Sequence, residues 1–518
     1  MIDFIARKLK YLFKNGVRSV WDESAGPELS GDLMKNMERL KTELGESADL
    51  KVHEFIFGAN DEYSAALFYI DGLVDTMMIT EGILKPLTGN KNIKREEDIT
   101  VTADYIKKTV VCSGDVKCSG HHNELVKGVL NGNTILLFEG YKTGLVIDTK
   151  GWETRPVAEP QTESVVRGPR EGFTENLRTN TSLIRRKIKN PRLRFESMQI
   201  GKKSATEMCV VYLEGVAKKE IIDTVKQRLE AVNIDAILDT GYIEELIEDN
   251  PFSLFSTIGY TEKPDVAASK ILEGRVAIIA DGTPFVLTVP MLFQESFQTA
   301  EDYYNRPLYA SLTRIMRIIA FLISILIVPG FIALATFHQE FIPPTLLITI
   351  AAAREGTPFP TAMEALLMVF TFEILREAGL RLPRPVGQAI SIVGALVMGD
   401  AAVAAGLVGS MVVIVVSIAA VSGFTVPSQA DSISILRFLF IFVTAFFGGF
   451  GLALCFLGLL AHLASLKSFG VPYFGATKPD SDQQDAYVRM PLWFMVKRPQ
   501  DIAGNDKHRL KKFVPPEN

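Results

Sequence analysis

Formal charge is missing from three long stretches of this chain. Ile318–Phe337 has none, Phe438–Leu466 has none, and Val386–Ala430 carries only Asp400. A helix rises ~1.5 Å per residue, so about 20 apolar residues cross a hydrocarbon core of ~30 Å. Backbone amides left unpaired in lipid are costly, which makes helix the expected form of these stretches. Other scarcities narrow the chemistry. The four cysteines, Cys112, Cys118, Cys209 and Cys455, are too few for a disulfide framework and read as reduced thiols. Six histidines are scattered along the chain, and no G-x-S-x-G, H-E-x-x-H, Walker A or dinucleotide fingerprint is present. No enzyme activity and no cofactor are expected. A net charge of -5 without a concentrated basic patch argues against a nucleic-acid partner.

What is present divides the chain into a charged part and an oily part. The N-terminus is not a secretory signal on this reading, because Arg7, Lys8, Lys10 and Lys14 interrupt any apolar run. Ile2, Ile5, Leu9, Leu12 and Val20 fall roughly at helical spacing. They predict a short helix docked on the protein's own soluble part, with a membrane-surface helix as the alternative. Residues 22–48 read as a polar linker around one short helix. Alternation predicts strands at Lys51–Phe57, Ala65–Asp71, Thr134–Phe138 and Tyr141–Asp148, with a helix over Gly72–Leu84. In a second unit, Glu207–Leu213 is a buried-strand pattern and Lys218–Val232 is helical. Ala236–Leu238 starts another strand, Ile243–Ile247 is a helix, and Val276–Ala280 is an apolar strand. The expected grammar is βαβ, and no tandem repeat of 20–50 residues is evident.

The fold class expected is multidomain, with an N-terminal α/β region of two small subdomains followed by an all-α transmembrane bundle. The boundaries are an N-terminal helix and linker (1–50), subdomain 1 (51–152), a polar connector (153–193), subdomain 2 (194–305), a transmembrane domain (306–470) and a cytoplasmic tail (471–518). Of five apolar segments, 315–337 is the clearest span. Phe341–Ala353 is too short to cross and suits a re-entrant or interfacial piece, and Ala362–Leu375 carries Glu364 and Glu373. The stretch 386–426 must break, at Gly399-Asp400 or Gly406–Gly409. Ile435–Leu466 would reach ~48 Å unbent, so it tilts, protrudes or bends at Gly448-Gly449-Gly451. Lys and Arg crowd both outer flanks, which puts both termini in the cytoplasm and makes the number of spans even. Four spans are preferred and six remain open.

One helix stands out. Gly387, Ser391, Ala395 and Gly399 place a small residue at every fourth position, opposite the bulky Val386, Ile390, Val393 and Val397. Small-residue rows let backbones approach closely in lipid. The plainer reading is packing within one subunit. The functional one turns this face toward identical neighbours or a narrow pore, with Gln388 and Asp400 supplying polar groups at its ends. Asp400 either faces water or a partner, as an intramembrane carboxylate should, or sits in a short loop between spans. Glu373 and Arg376 are spaced for an ion pair. Cys112, Cys118, His121 and His122 match no common zinc spacing, so no metal is expected. The connector VVRGPR (165–170) is a solvated hinge or, alternatively, a contact surface for another subunit through Arg167, Arg170 and Glu171.

Four stretches carry a resemblance: 149–193, 281–304, 351–409 (AAAREGTPFPTAMEALLMVFTFEILREAGLRLPRPVGQAISIVGALVMGDAAVAAGLVG) and 462–473 (HLASLKSFGVPY). Over roughly Lys51 to Tyr473 the chain resembles the A subunits of bacterial spore germination receptors of the GerA type. The first fifty residues, the Cys112–His122 loop and the tail after Pro479 do not share it. The resemblance implies a spore inner-membrane, multi-pass protein that triggers exit from dormancy when nutrients are present. It implies two partners, a transporter-like B subunit that holds most of the nutrient pocket and a lipoprotein C subunit. It also implies a homo-oligomeric ring with 386–403 as the pore helix and the α/β domains in the spore core. The function expected is a nutrient-gated ion channel subunit. The alternative is a non-conducting scaffold and signalling subunit.

Overall fold

The structure, a computed structural model, describes residues 26–58, 63–89, 106–107, 115–151, 160, 163, 165–381, 399–474 and 485–509. The expected helix near the N-terminus, Cys112, and Gly387, Gln388, Ser391 and Ala395 lie outside the described residues.

The linker's short helix is α1 (Leu33–Leu44), started by Asp32, whose carboxylate accepts from Lys35 N at 3.2 Å. Its apolar stripe, Leu33, Met37, Leu40 and Leu44, is buried against a five-stranded sheet. That sheet comprises β1 (Leu50–Phe57), β2 (Tyr63–Ile70), β3 (Val116–Ser119), β4 (Asn133–Phe138) and β5 (Gly144–Asp148), in the order β1-β2-β4-β5-β3. The predicted helix after β2 begins as α2 (Thr76–Ile79), widens over Thr80–Leu84 and ends as α3 (Lys85–Gly89). The run Val126–Leu130 closes α4 (His122–Leu130).

The second unit repeats this plan. After α5 (Leu177–Lys187) come β6 (Leu193–Ile200), β7 (Thr206–Leu213), α6 (Lys219–Glu230), α7 (Thr240–Ile247), β8 (Gly259–Thr261), α8 (Pro264–Glu273), β9 (Val276–Ala280) and β10 (Val286–Val289). The order β6-β7-β9-β10-β8 is the first sheet's order again, and every ladder in both sheets is antiparallel. The expected βαβ grammar is present in split form: β3 and β4, joined by α4, run parallel with β5 between them, and β8 and β9, joined by α8, run parallel with β10 between them. It is corrected in that no two parallel strands are hydrogen-bonded neighbours. Ala236–Leu238 is also not a strand. It lies in an extended loop that buries Ile237 and leaves Leu238 exposed. β7 is apolar at consecutive positions because helices cover both faces of its sheet, with α6 and α7 on one side and α5 and α8 on the other.

Sequence self-similarity is weak, yet the details recur. Asn36 receives Ser30 N (3.0 Å) and donates to Ser30 O (2.7 Å); Asn180 does the same with Thr174 at 2.8 and 2.6 Å. Leu33 N donates to Glu139 at 2.8 Å, and Leu177 N donates to Asp281 at 3.0 Å. Both carboxylates sit at the tip of the β4–β5 or β9–β10 hairpin. The two units are joined by a buried, bidentate pair between Arg185 of α5 and Asp49, both contacts 2.9 Å, with the Arg185 guanidinium 4.7 Å from the Phe195 ring centroid.

The helical region follows α9 (Glu301–Tyr304). Among the described residues two helices are long and apolar enough to cross a membrane: Pro307–Phe337, which contains α10 (Pro307–Ile332), and Pro427–Ser465. Between them lie α11 (Pro344–Arg354), α12 (Thr361–Arg381), the helical residues 399–404 and α13 (Ser410–Gly423). α11 has 11 residues and is too short to span, as expected. Of the two breaks offered for 386–426, the second is seen among the described residues: 399–404 is helical and a turn falls at 405–409. The last helix, α14 (Ala430–Ser465), bends at Gly448, whose φ of 55° and ψ of -142° are not helical. A side chain there would clash, since an added Cβ would stand 2.7 Å from the Phe337 ring.

Candidate functional site

Charge inside the helical region is concentrated at three points, each built by residues from different elements. The first is Arg437 on α14, 2% exposed. Its Nε donates to Ser324 O on α10 (2.9 Å), Nη2 to Ala419 O on α13 (3.3 Å), and Nη1 reaches Glu373 on α12 at 3.4 Å. One guanidinium thus ties four helices. The planar five-donor fork suits this task, because a buried lysine has fewer directions to offer. Glu373 also holds Arg376 at 2.9 Å, the ion pair expected from spacing, and accepts from Ser434 at 3.1 Å. The sequence reading missed Arg437. It stands one residue before a charge-free run, where it reads as a flank.

The second point is Glu364, fully buried on α12. Its carboxylate accepts from Gly409 N (2.8 Å) and Thr357 Oγ1 (3.0 Å), with Arg354 Nε 3.9 Å away. Gly409 is the N-cap of α13, so the carboxylate faces the positive end of that helix. A Cβ on Gly409 would come within 3.3 Å of Glu364 Oε2, and glycine lets the two approach. The turn that ends the 399–404 helix is therefore pinned at Gly409. Beside it Gly399 is buried with Val413 its nearest neighbour, and Asp400 is exposed.

The third point is the base of α10. Arg314 is fully buried; its Nε donates to Asp302 (3.0 Å), and Nη1 donates to the Asp485 side chain (3.0 Å) and carbonyl (2.9 Å). Arg317 adds two 3.0 Å bonds to Asp302. Burial opposes ionisation of Asp302, but the bonds from Arg317 and Arg314 outweigh it and hold its carboxyl below the ordinary range. At Asp485 burial wins over Arg314 and Tyr303 and pushes the carboxyl upward. Residues of the tail, the α/β region and the first apolar helix thus share one knot.

The predicted contact residues have partners in their own chain. Glu171 accepts from Lys187 (2.9 Å) and Arg186 (3.4 Å) on α5. Arg167 is exposed in the loop whose Val166 and Arg167 amides bond Glu301 at the foot of α10. Among the described residues no group of three His, Cys, Asp or Glu is placed to hold a metal. His122 is buried with Nε2 2.7 Å from Glu43, and burial depresses its pKa. His122 thus serves the core between α4 and α1.

Comparison with known proteins identifies the family. Residues 38–501 match the family described as Bacillus/Clostridium GerA spore germination protein. Spore germination protein KA of Bacillus subtilis (strain 168) is 45% identical over 493 residues, covering 94% of this chain and 90% of that protein. The uncharacterized membrane protein YfkQ of the same strain is 39% identical, covering 94% of each. Spore germination protein GerLA of Bacillus cereus is 35% identical over 92% of this chain and 97% of that one. The crystal structure of the N-terminal domain of the A subunit of the Bacillus megaterium spore germinant receptor GerK3 is 31% identical, with a TM-score of 0.41, covering 52% of this chain and 98% of that one. On these matches the chain belongs to the GerA family of spore germination proteins.

Proposed function

We propose that this chain is the A subunit of a nutrient germinant receptor in the spore inner membrane, and that copies of it form a ring around an ion-conducting axis. The observation that carries the germination role is 45% identity to spore germination protein KA, spread over 94% of the chain. Two apolar helices long enough to cross a bilayer support membrane association. Transporter-like B and lipoprotein C subunits are the expected partners. Nutrient occupancy there biases a closed-to-open equilibrium through contacts that differ between the two states.

The axis is assigned to 386–403. Gly387, Ser391 and Ala395 form the narrow face, which ends where Gly399 packs on Val413, with Gln388 and Asp400 as its polar ends. Two features support this choice. Asp400 is exposed at the end of that helix, and Glu364 anchors the turn that follows it. A helix that moves needs a fixed neighbour, and a buried carboxylate on an N-cap supplies one. Arg167, Arg170 and Glu171 are assigned to contacts at the foot of the ring.

Single cysteines placed along 386–403 in the assembled receptor test the assignment. Labelling confined to one helical stripe is the expected result. No labelling at any position means packed helices and favours the non-conducting scaffold. Ala395→Leu should block nutrient-triggered ion release, and normal release would count against a pore at this helix.

A further inference from the structure

In the first α/β unit, the chain leaving β5 turns back to close the sheet's open corner. Lys150 forms an antiparallel bridge with Val74, and Gly151 N donates to Leu73 O at 3.2 Å. Thr149 is fully buried and its hydroxyl meets Thr134 at 2.7 Å. Gly132, at φ 84°, leaves the necessary room: a Cβ there would stand 3.0 Å from Leu73 O and 3.4 Å from the Lys150 side chain.

The second unit has the same corner but a different chain. After β10 the polypeptide leaves toward the helical region. Met291 N donates to Thr257 O and to Ser468 Oγ, and Phe293 N donates to Tyr473 O. The vacated position is filled from more than 200 residues away in sequence. Ala503 bridges Ala217 in antiparallel sense, and Gly504 N donates to Val216 O at 2.6 Å. Ile502 is fully buried in the cluster that holds Val276, an apolar pair where the first unit has Thr149 and Thr134. Gly274, at φ 105°, makes the notch, with its Cβ position 2.9 Å from Val216 O and 3.2 Å from Ala503 Cα. Even the residue pattern agrees: Asp148-Thr149-Lys150-Gly151 against Asp501-Ile502-Ala503-Gly504.

We propose that Asp501–Gly504 is the closing segment of the second α/β unit, so that the helical region is an insertion within that unit and the unit is incomplete until the tail returns. Both ends of the helical region are then tied to one body. The entry runs through β10 and α9, and the return runs through Asp485 on Arg314, Arg498 on Leu272 O (2.8 Å) and Lys218 on Asp501 O (2.5 Å). A shift of the second unit is transmitted to the foot of α10 from two sides. This holds whether or not 386–403 lines a pore.

The test is hydrogen exchange on receptor-containing membranes with the chain truncated after Gln484. Exchange over residues 214–219 and 271–276 should accelerate at least tenfold, while 71–76 and 130–134 stay unchanged. A synthetic peptide of residues 485–509 should restore protection, and the same peptide with Gly504→Val should not, because its Cβ would approach Ala217 O to 3.1 Å. Unchanged exchange on truncation, or equal rescue by both peptides, overturns the proposal. A full-length chain with Ala217→Cys and Ala503→Cys covers the case of a truncated chain that does not fold. Oxidation should give a cross-link within one chain. Absence of a cross-link, or one that joins two chains, refutes closure by the chain's own tail.

Discussion

The α/β half and the helical half bury opposite chemistry. In the α/β half, Val210, Val225, Ile243 and Ile278 are fully or almost fully hidden, and most charges are outside. In the helical half the outside is oily, with Phe442, Phe446, Phe447, Phe450 and Leu457 all 59–74% exposed, while Arg314, Glu364 and Arg437 are 0–2% exposed. Water rewards the first arrangement through the hydrophobic effect. Lipid tails reward neither the burial of leucine nor its exposure, so helices there need packing and polar ties to choose one arrangement. The comparison teaches where specificity is stored: in apolar fit in one half, and in a few guanidinium and carboxylate forks in the other.

Breaking the second kind of tie should have the largest effect. Arg437→Ala leaves Glu373 with Arg376 as its one remaining cation among the described residues and strips donors from two helix carbonyls, and removing one partner of a buried ion pair costs about 3–5 kcal/mol. Thermal stability in mild detergent measures this, and Arg437→Lys should recover only part of it. In the α/β half the counterpart is Ile278→Ala, a deletion inside a closed apolar core, expected to cost about 2–4 kcal/mol by denaturant melting. Phe450→Ala, on the oily exterior, should cost far less than Ile278→Ala. Equal losses at the two sites would contradict the inversion described above.

A third measurement sharpens the boundary between the halves. The carboxyl of Asp302 is held below its ordinary value in the folded state, so its stabilising contribution is complete above the unfolded pKa of about 4 and is lost as pH falls through the lower folded value. Stability should therefore decline on acidification below about pH 4, and Asp302→Asn should flatten that part of the profile while lowering stability at neutral pH. The smallest effect belongs to the surface. Glu81 and Lys85 are 2.5 Å apart but well exposed, and Lys85→Ala should change stability by no more than about 0.5 kcal/mol.

Much of the architecture was legible in the residues. β7 and β9 were readable as unbroken apolar runs and α6 from Ile221, Val225 and Leu229, and the bend at Gly448 was one of three ways offered to fit an overlong helix. The direction of strand pairing was not, because alternation reports which face is buried and not which neighbour is bonded. The duplication of the two units also escaped notice. Its shared features are single residues, such as Asn36 with Asn180 and Gly132 with Gly274, which carry no periodic signal.

The candidate site divides in the same way. The Glu373–Arg376 pair follows from helical spacing alone, since three residues make nearly one turn. The Arg437–Ser324, Glu364–Gly409 and Arg314–Asp485 bonds join residues 45 to 171 positions apart. By itself the sequence determined where the chain is oily and which of its longer periodic or apolar runs become helix or strand, because those depend on local composition and period. Only the tertiary structure decided which buried charge meets which carbonyl, and that the tail completes the second sheet unit. Those outcomes depend on distance in space, which local preference does not encode.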